Sequence, residues 1–205
     1  MKKSHTLPYT YWVEKDKILA GQYPGSLWTT NPIHNLRTLF DYIIAIATRN
    51  FDALHSVSNR IESLLNISIR KFVDLTEENE LKEYTNTLNE QGKNKKIKPI
   101  YTKIAIKDKN IPSVVEMEKA LKILHSASTE KRVYLHCLRG LGRTGTVVGC
   151  YFIEKGFSTE EALTEISKLR KGTLGSWWKS PELNLQINFI KRWELRIKSA
   201  NRGSH

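Results

Sequence analysis

One segment of the chain combines a nucleophilic side chain with a loop able to bind an anion: His136-Cys137-Leu138-Arg139-Gly140-Leu141-Gly142-Arg143-Thr144-Gly145. An apolar run at 133–135 precedes Cys137 and a helical pattern begins at Gly142, so the segment is predicted to join a buried strand to a helix N-terminus. The amides of such a turn, together with the planar guanidinium of Arg143, direct many donors at one point, as a phosphate dianion requires. The same donors favour a thiolate, which is the nucleophilic form of Cys137. The segment therefore predicts transfer of a phosphoryl group from an ester to a thiolate.

The neighbours of Cys137 receive narrower predictions. Thr144 is predicted to donate its hydroxyl to the sulfur and so to help the sulfur leave in a second step. His136 is predicted to hold the loop through hydrogen bonds to backbone carbonyls. A general-base role for His136 is disfavoured, because adjacent residues of a strand point to opposite faces. The backbone that binds the phosphate is predicted to be Leu138, Arg139, Gly140, Leu141, Gly142 and Arg143.

The glycine spacing of this segment also matches a dinucleotide-binding fingerprint, Gly140-x-Gly142-x-x-Gly145. That fingerprint needs a second strand and an acidic residue about 20 residues further on to bind the ribose. Here the stretch 158–171 is predicted to be helical instead. A nucleotide-binding P-loop would need a lysine directly after Gly145, where Thr146 stands. Dinucleotide and nucleotide binding are therefore disfavoured.

The charge balance favours anionic partners, since 33 Lys and Arg face 21 Asp and Glu for a formal net charge of +12. Phosphorylated substrates and acidic membrane surfaces fit this surplus, although an ordinary solvated basic surface explains it too. No nucleic-acid partner is expected. Two cysteines form no disulfide framework, which indicates a reducing compartment.

Targeting signals are not apparent in the sequence. The longest apolar stretch, 42–47, is too short to span a bilayer, and no apolar region follows the N-terminal lysines. A cytoplasmic location without a classical signal peptide is therefore expected. The richness in Lys, Asn and Ile is associated with AT-rich bacterial genomes, and delivery of a bacterial protein into a host cell stays open.

Apolar periodicity predicts strands separated by helices, hence an α/β fold with a central, mostly parallel sheet covered by helices on both faces. Strands are predicted at 18–20, 70–74, 100–106 and 132–136. Four helices are predicted to begin at Asn31, before Leu54, at Thr76 and at Ser113. Three more are predicted to cover 142–155, 158–171 and 180–197, the last two with Ser158 and Ser180 as N-caps. Residues 91–98 are predicted to form a polar loop. Residues 1–200 are predicted to form a single domain, in which 31–66 either buttresses the sheet or forms a lid. Residues 201–205 resemble a tag remnant.

The pattern His-Cys-x5-Arg-Thr-Gly at 136–145 resembles the signature loop of cysteine-dependent protein tyrosine and dual-specificity phosphatases. Weaker matches follow in the family's order along the chain. Residues 19–25 resemble the N-terminal motif of small dual-specificity-like members, 73–78 their strand-to-helix turn, 106–113 the mobile acid loop, and 180–186 the C-terminal motif. The resemblance covers nearly the whole chain except about 30–66 and the tail. It implies a phosphotyrosine-phosphatase-like fold.

The resemblance also implies the reaction and the role of each residue. Cys137 attacks phosphorus and forms a phosphocysteine, while Asp108 protonates the departing oxygen and later takes a proton from the attacking water. Arg143 and the loop amides stabilise the equatorial oxygens. Gln186 is expected to position the water. Neither a metal ion nor another cofactor is implied.

The substrate class stays open between related alternatives. Phosphotyrosine or phosphoserine/threonine in proteins is the first expectation. Arg139, which is unusual in a plain tyrosine phosphatase, and the positive net charge favour a phosphoinositide or an inositol phosphate instead. A non-catalytic phosphate-binding module is disfavoured, because Cys137, Arg143 and Asp108 are all present.

For several further residues, the sequence allows a purely structural role as an alternative to a role in the site. Asp108 could cap the helix that follows Pro112, although the acid role is favoured. Trp177 and Trp178 could form a cleft wall or ordinary packing, and Glu182 suits the first turn of a helix. Cys150 is expected to be a buried core thiol, too far along the helix from Cys137 for a disulfide.

Overall fold

Five strands form one sheet in the part of the chain that the computed structural model describes, residues 9–25, 43, 56–173 and 175–202. They are β1 (Tyr11–Glu14), β2 (Ile18–Gly21), β3 (Ile69–Asp74), β4 (Ile100–Lys103) and β5 (Arg132–His136). Their spatial order is β1-β2-β5-β3-β4, in which β1 is antiparallel to β2 and all other neighbours are parallel. The prediction of a mostly parallel sheet is confirmed. The carboxyl ends of β2 to β5 share one edge, where α/β sheets usually bind ligands.

Six helices of the described residues surround this sheet: α1 (Val57–Asn66), α2 (Thr85–Asn94), α3 (Val114–His125), α4 (Gly142–Glu154), α5 (Thr159–Arg170) and α6 (Asn184–Arg202). Two of them begin with complete capping boxes. Ser113 accepts from the Glu116 amide and Ser158 from the Glu161 amide, while each glutamate binds the amide of its serine. These reciprocal bonds satisfy amides that a helix start leaves without partners.

The alternation of strand side chains creates two hydrophobic cores, one on each face of the sheet. On β5, Val133 and Leu135 face the core formed with α3 to α6, whereas Tyr134 between them faces the other side. That second core contains Ile61 and Leu64 of α1 and further residues around α2. Helices therefore cover both faces, as predicted, and β5 is buried in the middle of the sheet.

Two predicted helix starts are wrong. The helix predicted at Thr76 begins at Thr85 instead, because the backbone amide and the hydroxyl of Thr76 both donate to Asp74 Oδ1, at 2.9 and 2.7 Å. The helix predicted at Ser180 begins at Asn184. The Ser180 hydroxyl donates to the carbonyl of Leu141 at 2.9 Å, so it serves the loop before α4 rather than a cap.

Smaller differences concern the surface elements. The predicted loop at 91–98 is helical as far as Asn94, and the predicted strand at 100–106 is regular only to Lys103. Val114, predicted to face the core, is 39% exposed at the start of α3, while Met117, Leu121 and Leu124 are buried as predicted.

Part of the predicted insertion at 31–66 can be placed. The helix predicted to begin at Asn31 and the segment to 55 lie outside the described residues, apart from residue 43, as do 203–205. The second predicted helix is observed as α1, whose N-cap is Ser56. Because Ile61, Leu64 and Leu65 are buried in the core beneath the sheet, α1 supports the sheet.

Candidate active site

Cys137 lies directly after β5, at the floor of a cleft, and α4 begins five residues later. Only 3% of Cys137 is exposed. The cleft has a volume of about 300 Å³ and is lined by Asp108, Lys109, Cys137, Leu138, Arg139, Gly142, Arg143, Glu182, Leu183 and Gln186. The structure thus brings the predicted nucleophile, arginine, acid and glutamine to one cleft, at the edge of the sheet where the parallel strands end.

The turn that carries Cys137 is held against the end of β2. The amide of Tyr23 donates to the carbonyl of Leu138 at 3.0 Å. Gly140 has a φ of +73°, and a Cβ on it would come within 2.5 Å of the Gly21 backbone. Only glycine meets both conditions without strain. The close approach of two backbones fixes the curvature of the loop at the base of the cleft.

Arg143 is buried and paired with a residue that the sequence analysis did not select. Its Nη1 and Nη2 donate to the two carboxylate oxygens of Glu80, at 2.6 and 2.7 Å, and Nη1 also donates to the carbonyl of Ile106 at 3.0 Å. Burial opposes the charge of Arg143, but the Glu80 carboxylate outweighs it and raises the pKa of Arg143. The fork of Arg143 is therefore rigid, which suits the binding of a phosphate. The pairing of Glu80 with Arg143 was not predicted, because in a helix beginning at Thr76 the side chain of Glu80 would point in another direction.

Asp108 lies at the mouth of the cleft, with Oδ1 3.2 Å from Nη2 of Arg143. Its loop is anchored at both ends. The Asp108 amide donates to Glu77 Oε1 at 2.8 Å, and the side-chain amide of Gln186 donates to the carbonyl of Asn110 at 3.2 Å. The carboxylate of Asp108 is thus held beside the guanidinium that would bind the phosphate.

The predicted hydrogen bonds from His136 to backbone carbonyls have no well-formed counterpart here, although the backbone of Cys137 lies close enough to the ring to raise the pKa of His136. Its Nε2 lies 2.7 Å from the Tyr84 hydroxyl, and its Nδ1 has no hydrogen-bond partner, with Asp74 Oδ1 3.7 Å away. The ring is fully buried among Tyr23, Tyr84 and Tyr134. Burial lowers the pKa of His136 to about 4, although the Asp74 carboxylate acts in the opposite direction. His136 is therefore neutral near pH 7 and serves as a packed support beneath Cys137.

The low pKa of His136 predicts a loss of stability in mild acid. Between its ordinary pKa of 6.5 and about 4, the unfolded chain binds a proton that the folded chain does not, so folding becomes less favourable as the pH falls. We expect this residue to remove about 3 kcal/mol of the free energy of unfolding between pH 7 and pH 4. Urea unfolding of the wild type and of His136→Gln at both pH values measures the effect. Equal losses in the two proteins would contradict it.

The Thr144 hydroxyl is fully buried and has no hydrogen-bond partner in this structure. The predicted bond to the Cys137 sulfur is therefore not formed here. Cys150 is buried in the apolar core and burial raises its pKa, in agreement with a structural thiol. Glu182, assigned a structural role from the sequence, in fact lines the cleft.

The two tryptophans occupy different positions. The Trp178 ring, 40% exposed, lies beneath the guanidinium of Arg139, whose carbon is 5.0 Å from the ring centroid. Trp177 is 59% exposed and lines a separate hollow with Lys168 and Lys171. Trp178 is thus connected to the catalytic loop through Arg139.

The fold and the site define a phosphatase of the protein tyrosine phosphatase class: a thiol at the end of the central strand, a loop of amides and an arginine. Comparison with known proteins agrees. A model of the "Swiss Army Knife protein, DSP-PTPase phosphatase domain" matches residues 41–201. The chain therefore belongs to the DSP-PTPase phosphatase family, and the resemblance seen in the sequence is confirmed.

Individual relatives are more distant. Protein tyrosine phosphatase domain-containing protein 1 of Mus musculus is 25% identical over 149 residues, which are 69% of this chain but 18% of the relative. The chain thus spans about a fifth of the length of that curated relative. The crystal structure of Tk-PTP in its active form has a TM-score of 0.59 at 19% identity, covering 92% of this chain and 98% of the other. The crystal structure of PTPMT1 in complex with PI(5)P also has a TM-score of 0.59, at 16% identity and with 94% and 99% coverage. These structures show the shared fold.

None of the helices in the described ranges is both long and apolar enough to cross a bilayer. The same ranges contain no group of three or more His, Cys, Asp or Glu side chains placed to hold a metal ion.

Proposed function

We propose that the protein hydrolyses phosphate monoesters through a phosphocysteine intermediate. The observation that supports this most directly is the placement of Cys137, Arg143 and Asp108 around one cleft, with the thiol at its floor. The Cys137 sulfur attacks phosphorus as the ester oxygen leaves, and Asp108 gives that oxygen its proton. Water then attacks the phosphocysteine, Asp108 takes a proton from it, and the thiolate and inorganic phosphate are released. We propose that Gln186, which is buried on the wall of the cleft and donates to the carbonyl of Asn110, orients this water.

The transition state is stabilised by charge and by position. Arg143 and the amides of residues 138–143 supply donors for the three equatorial oxygens, on which the charge of a loose transition state is spread. Because Glu80 already holds the guanidinium in place, the Arg143 side chain loses little conformational entropy when the substrate binds. We propose that the Thr144 hydroxyl, which is buried in the first turn of α4 without a hydrogen-bond partner, donates to the sulfur when the sulfur leaves.

Phosphorylated proteins, carrying phosphotyrosine or phosphoserine/threonine, are the first proposed substrates. The thiol lines the cleft together with the apolar side chains Leu138 and Leu183. Such a wall suits an aromatic or aliphatic leaving group presented by a peptide. We also propose that this reaction takes place in the cytoplasm, in keeping with two buried, unpaired cysteines.

A phosphoinositide or an inositol phosphate is the second candidate, because two further cations line the cleft. Lys109 and Arg139 lie there in addition to Arg143. Extra cations beside the phosphate loop favour a substrate that carries more than one anionic group. A solved relative of the same fold binds PI(5)P. Lipid substrates would also require peripheral contact with acidic membranes, which the net charge of +12 favours.

A substrate panel separates these candidates. Phosphate release from phosphotyrosine and phosphoserine peptides is compared with release from dioctanoyl PI(5)P at equal concentrations, with EDTA present and absent. We expect the peptides to be turned over faster and EDTA to have no effect. Lipid turnover that exceeds peptide turnover by a wide margin would favour the second candidate. Binding of phosphate without turnover of any of these compounds would instead indicate a phosphate-binding module.

Asp108→Ala tests the acid role within this mechanism. Loss of the proton donor should slow hydrolysis of phenyl phosphate about 100-fold, since phenoxide is a poor leaving group that needs the proton. Hydrolysis of para-nitrophenyl phosphate should fall much less, roughly tenfold or under, because nitrophenolate leaves without help. Steady-state kcat for the two esters gives the comparison. An equal loss for both would show that Asp108 only maintains the loop.

A further inference from the structure

The turn that follows α5 exposes two neighbouring aromatic side chains beside the catalytic cleft. Trp177 is 59% and Trp178 40% exposed, although globular proteins bury most of the surface of a typical tryptophan. Trp178 lies beneath the guanidinium of Arg139, which lines the cleft, so the turn borders the cleft on one side. Two adjacent exposed indoles at such a position indicate a contact surface.

The backbone of this turn is held from within the protein. Arg170, at the end of α5 and only 4% exposed, donates to the carbonyls of Trp178 and Gly175, at 2.6 and 2.9 Å. The amide of Trp178 also donates to the carbonyl of Gly175, at 3.0 Å. A buried guanidinium needs such acceptors, so the turn cannot refold to bury its rings without leaving Arg170 unpaired. The indoles are therefore kept at the surface.

Basic residues surround these rings. The stretch 166–181 contains no Asp or Glu and four basic residues, which are Lys168, Arg170, Lys171 and Lys179. The three lysines are exposed. Lys168 pairs at 3.2 Å with Glu165, just outside the stretch, and such exposed pairs are weak. The turn thus presents apolar rings and positive charge together.

Trp177 also forms part of an open hollow at the end of α5, with a volume of about 720 Å³. The donors that line this hollow are the ammonium and hydroxyl groups of Lys168, Lys171, Thr164, Ser167 and Ser176. These groups can donate to the oxygens of a phosphodiester. A hollow that combines an indole with such donors suits the phosphate of a lipid headgroup.

We propose that the turn at 175–179, together with the end of α5, binds the surface of an acidic phospholipid bilayer, with the ring of Trp177 inserted between the headgroups. Tryptophan and lysine are the side chains that suit the boundary between lipid and water, and lysines are attracted to an anionic leaflet. Specific protein–protein interfaces are depleted in lysine, so this combination favours a bilayer over a protein partner.

The membrane contact itself does not depend on the reaction. Its consequence, that the catalytic cleft then lies beside the membrane surface, rests on the proposed function. The inference adds the part of the chain, outside the phosphate-binding loop, that makes the contact with the membrane.

Co-sedimentation with vesicles tests this inference. The full chain is mixed with vesicles of phosphatidylcholine, alone or with about 30% phosphatidylserine, and we expect binding to the acidic vesicles only. Trp177→Ala should weaken this binding roughly tenfold, because the apolar area of a large ring is no longer removed from water. Lys171→Gln should weaken it about fivefold, which corresponds to one lysine near an anionic surface.

Matched variants at other exposed positions are the controls. Leu195→Ala removes an apolar side chain that is 64% exposed on α6, and Lys119→Gln removes an exposed lysine of α3. Both should bind the acidic vesicles nearly as well as the wild type. Trp177 does not line the cleft, so Trp177→Ala should also keep the wild-type hydrolysis of para-nitrophenyl phosphate. A melting temperature close to that of the wild type verifies the fold of each variant.

The outcomes distinguish this inference from the proposed function. Equal binding of the wild type and Trp177→Ala to acidic vesicles would overturn the inference, since a diffuse basic surface would then be sufficient. Absence of binding to these vesicles would overturn it as well, and would indicate a protein partner for the indoles. Neither result bears on the proposed function, which is wrong if the wild type fails to hydrolyse para-nitrophenyl phosphate without vesicles.

Discussion

Cys137→Ser is expected to abolish turnover of para-nitrophenyl phosphate, while binding of inorganic phosphate persists. The serine hydroxyl is protonated at neutral pH and is a far weaker nucleophile than a thiolate, so the covalent intermediate cannot form at a useful rate. The proposed phosphate donors, Arg143 and the amides of the loop, are unaffected by this substitution. We expect a loss of at least about 10⁴-fold in kcat, measured as release of nitrophenolate.

The second cysteine provides the matched control for this variant. Cys150 is buried in the apolar core on α4 and does not line the cleft, so Cys150→Ala should retain activity. Binding of phosphate to Cys137→Ser can be followed by calorimetry. Appreciable turnover by the serine variant would overturn the phosphocysteine mechanism, whereas loss of both turnover and phosphate binding would point to a collapsed loop.

Arg143→Lys is expected to lower kcat/KM about 1,000-fold, nearly as severely as removal of an oxyanion-hole donor. A lysine has no planar fork, so it cannot bind Glu80 with two nitrogens and also present donors to a phosphate. The Glu80 carboxylate, buried beside it, would keep the bond from the Glu77 amide but only one of its two bonds from residue 143, and the domain should lose stability as well.

Arg132→Lys is a suitable comparison, because Arg132 lies at the start of β5, at the end opposite Cys137, and pairs with the partly exposed Asp16. It should leave the kinetics unchanged, because the partners of Arg132, which include the carbonyls of Ile67 and Thr129, do not line the cleft. An Arg143→Lys enzyme that retained more than about a tenth of wild-type kcat/KM would show that the loop amides alone stabilise the transition state.

The central strand and the catalytic loop could be predicted from local sequence because their signals are local. The predicted strand at 132–136 coincides with β5, and the helix predicted at Gly142 begins there. A continuous apolar run and a glycine-rich turn followed by helical spacing carry this information within some twenty residues of chain. The capping box at Ser158 was equally readable.

Contacts between distant segments could not be predicted in this way. Glu80 was missed because its partner Arg143 is 63 residues away and because Thr76 has the residue type of a helix cap. In the structure Asp74, not a helix, captures the Thr76 hydroxyl. Trp178 could not be assigned for the same reason, since its contact with Arg139 depends on how α5 and the following turn lie against the loop.

The short segment between β3 and α2 has a consequence for how this enzyme can be controlled. Glu77 accepts from the amide of Asp108, the proposed acid, and Glu80 accepts from Arg143, the proposed phosphate donor. Two carboxylates three residues apart in the chain therefore hold both residues in place. A ligand or covalent adduct that displaced the segment with Glu77 and Glu80 would therefore impair proton donation and phosphate binding together. It would do so without modifying Cys137, which is distant from this segment in the sequence.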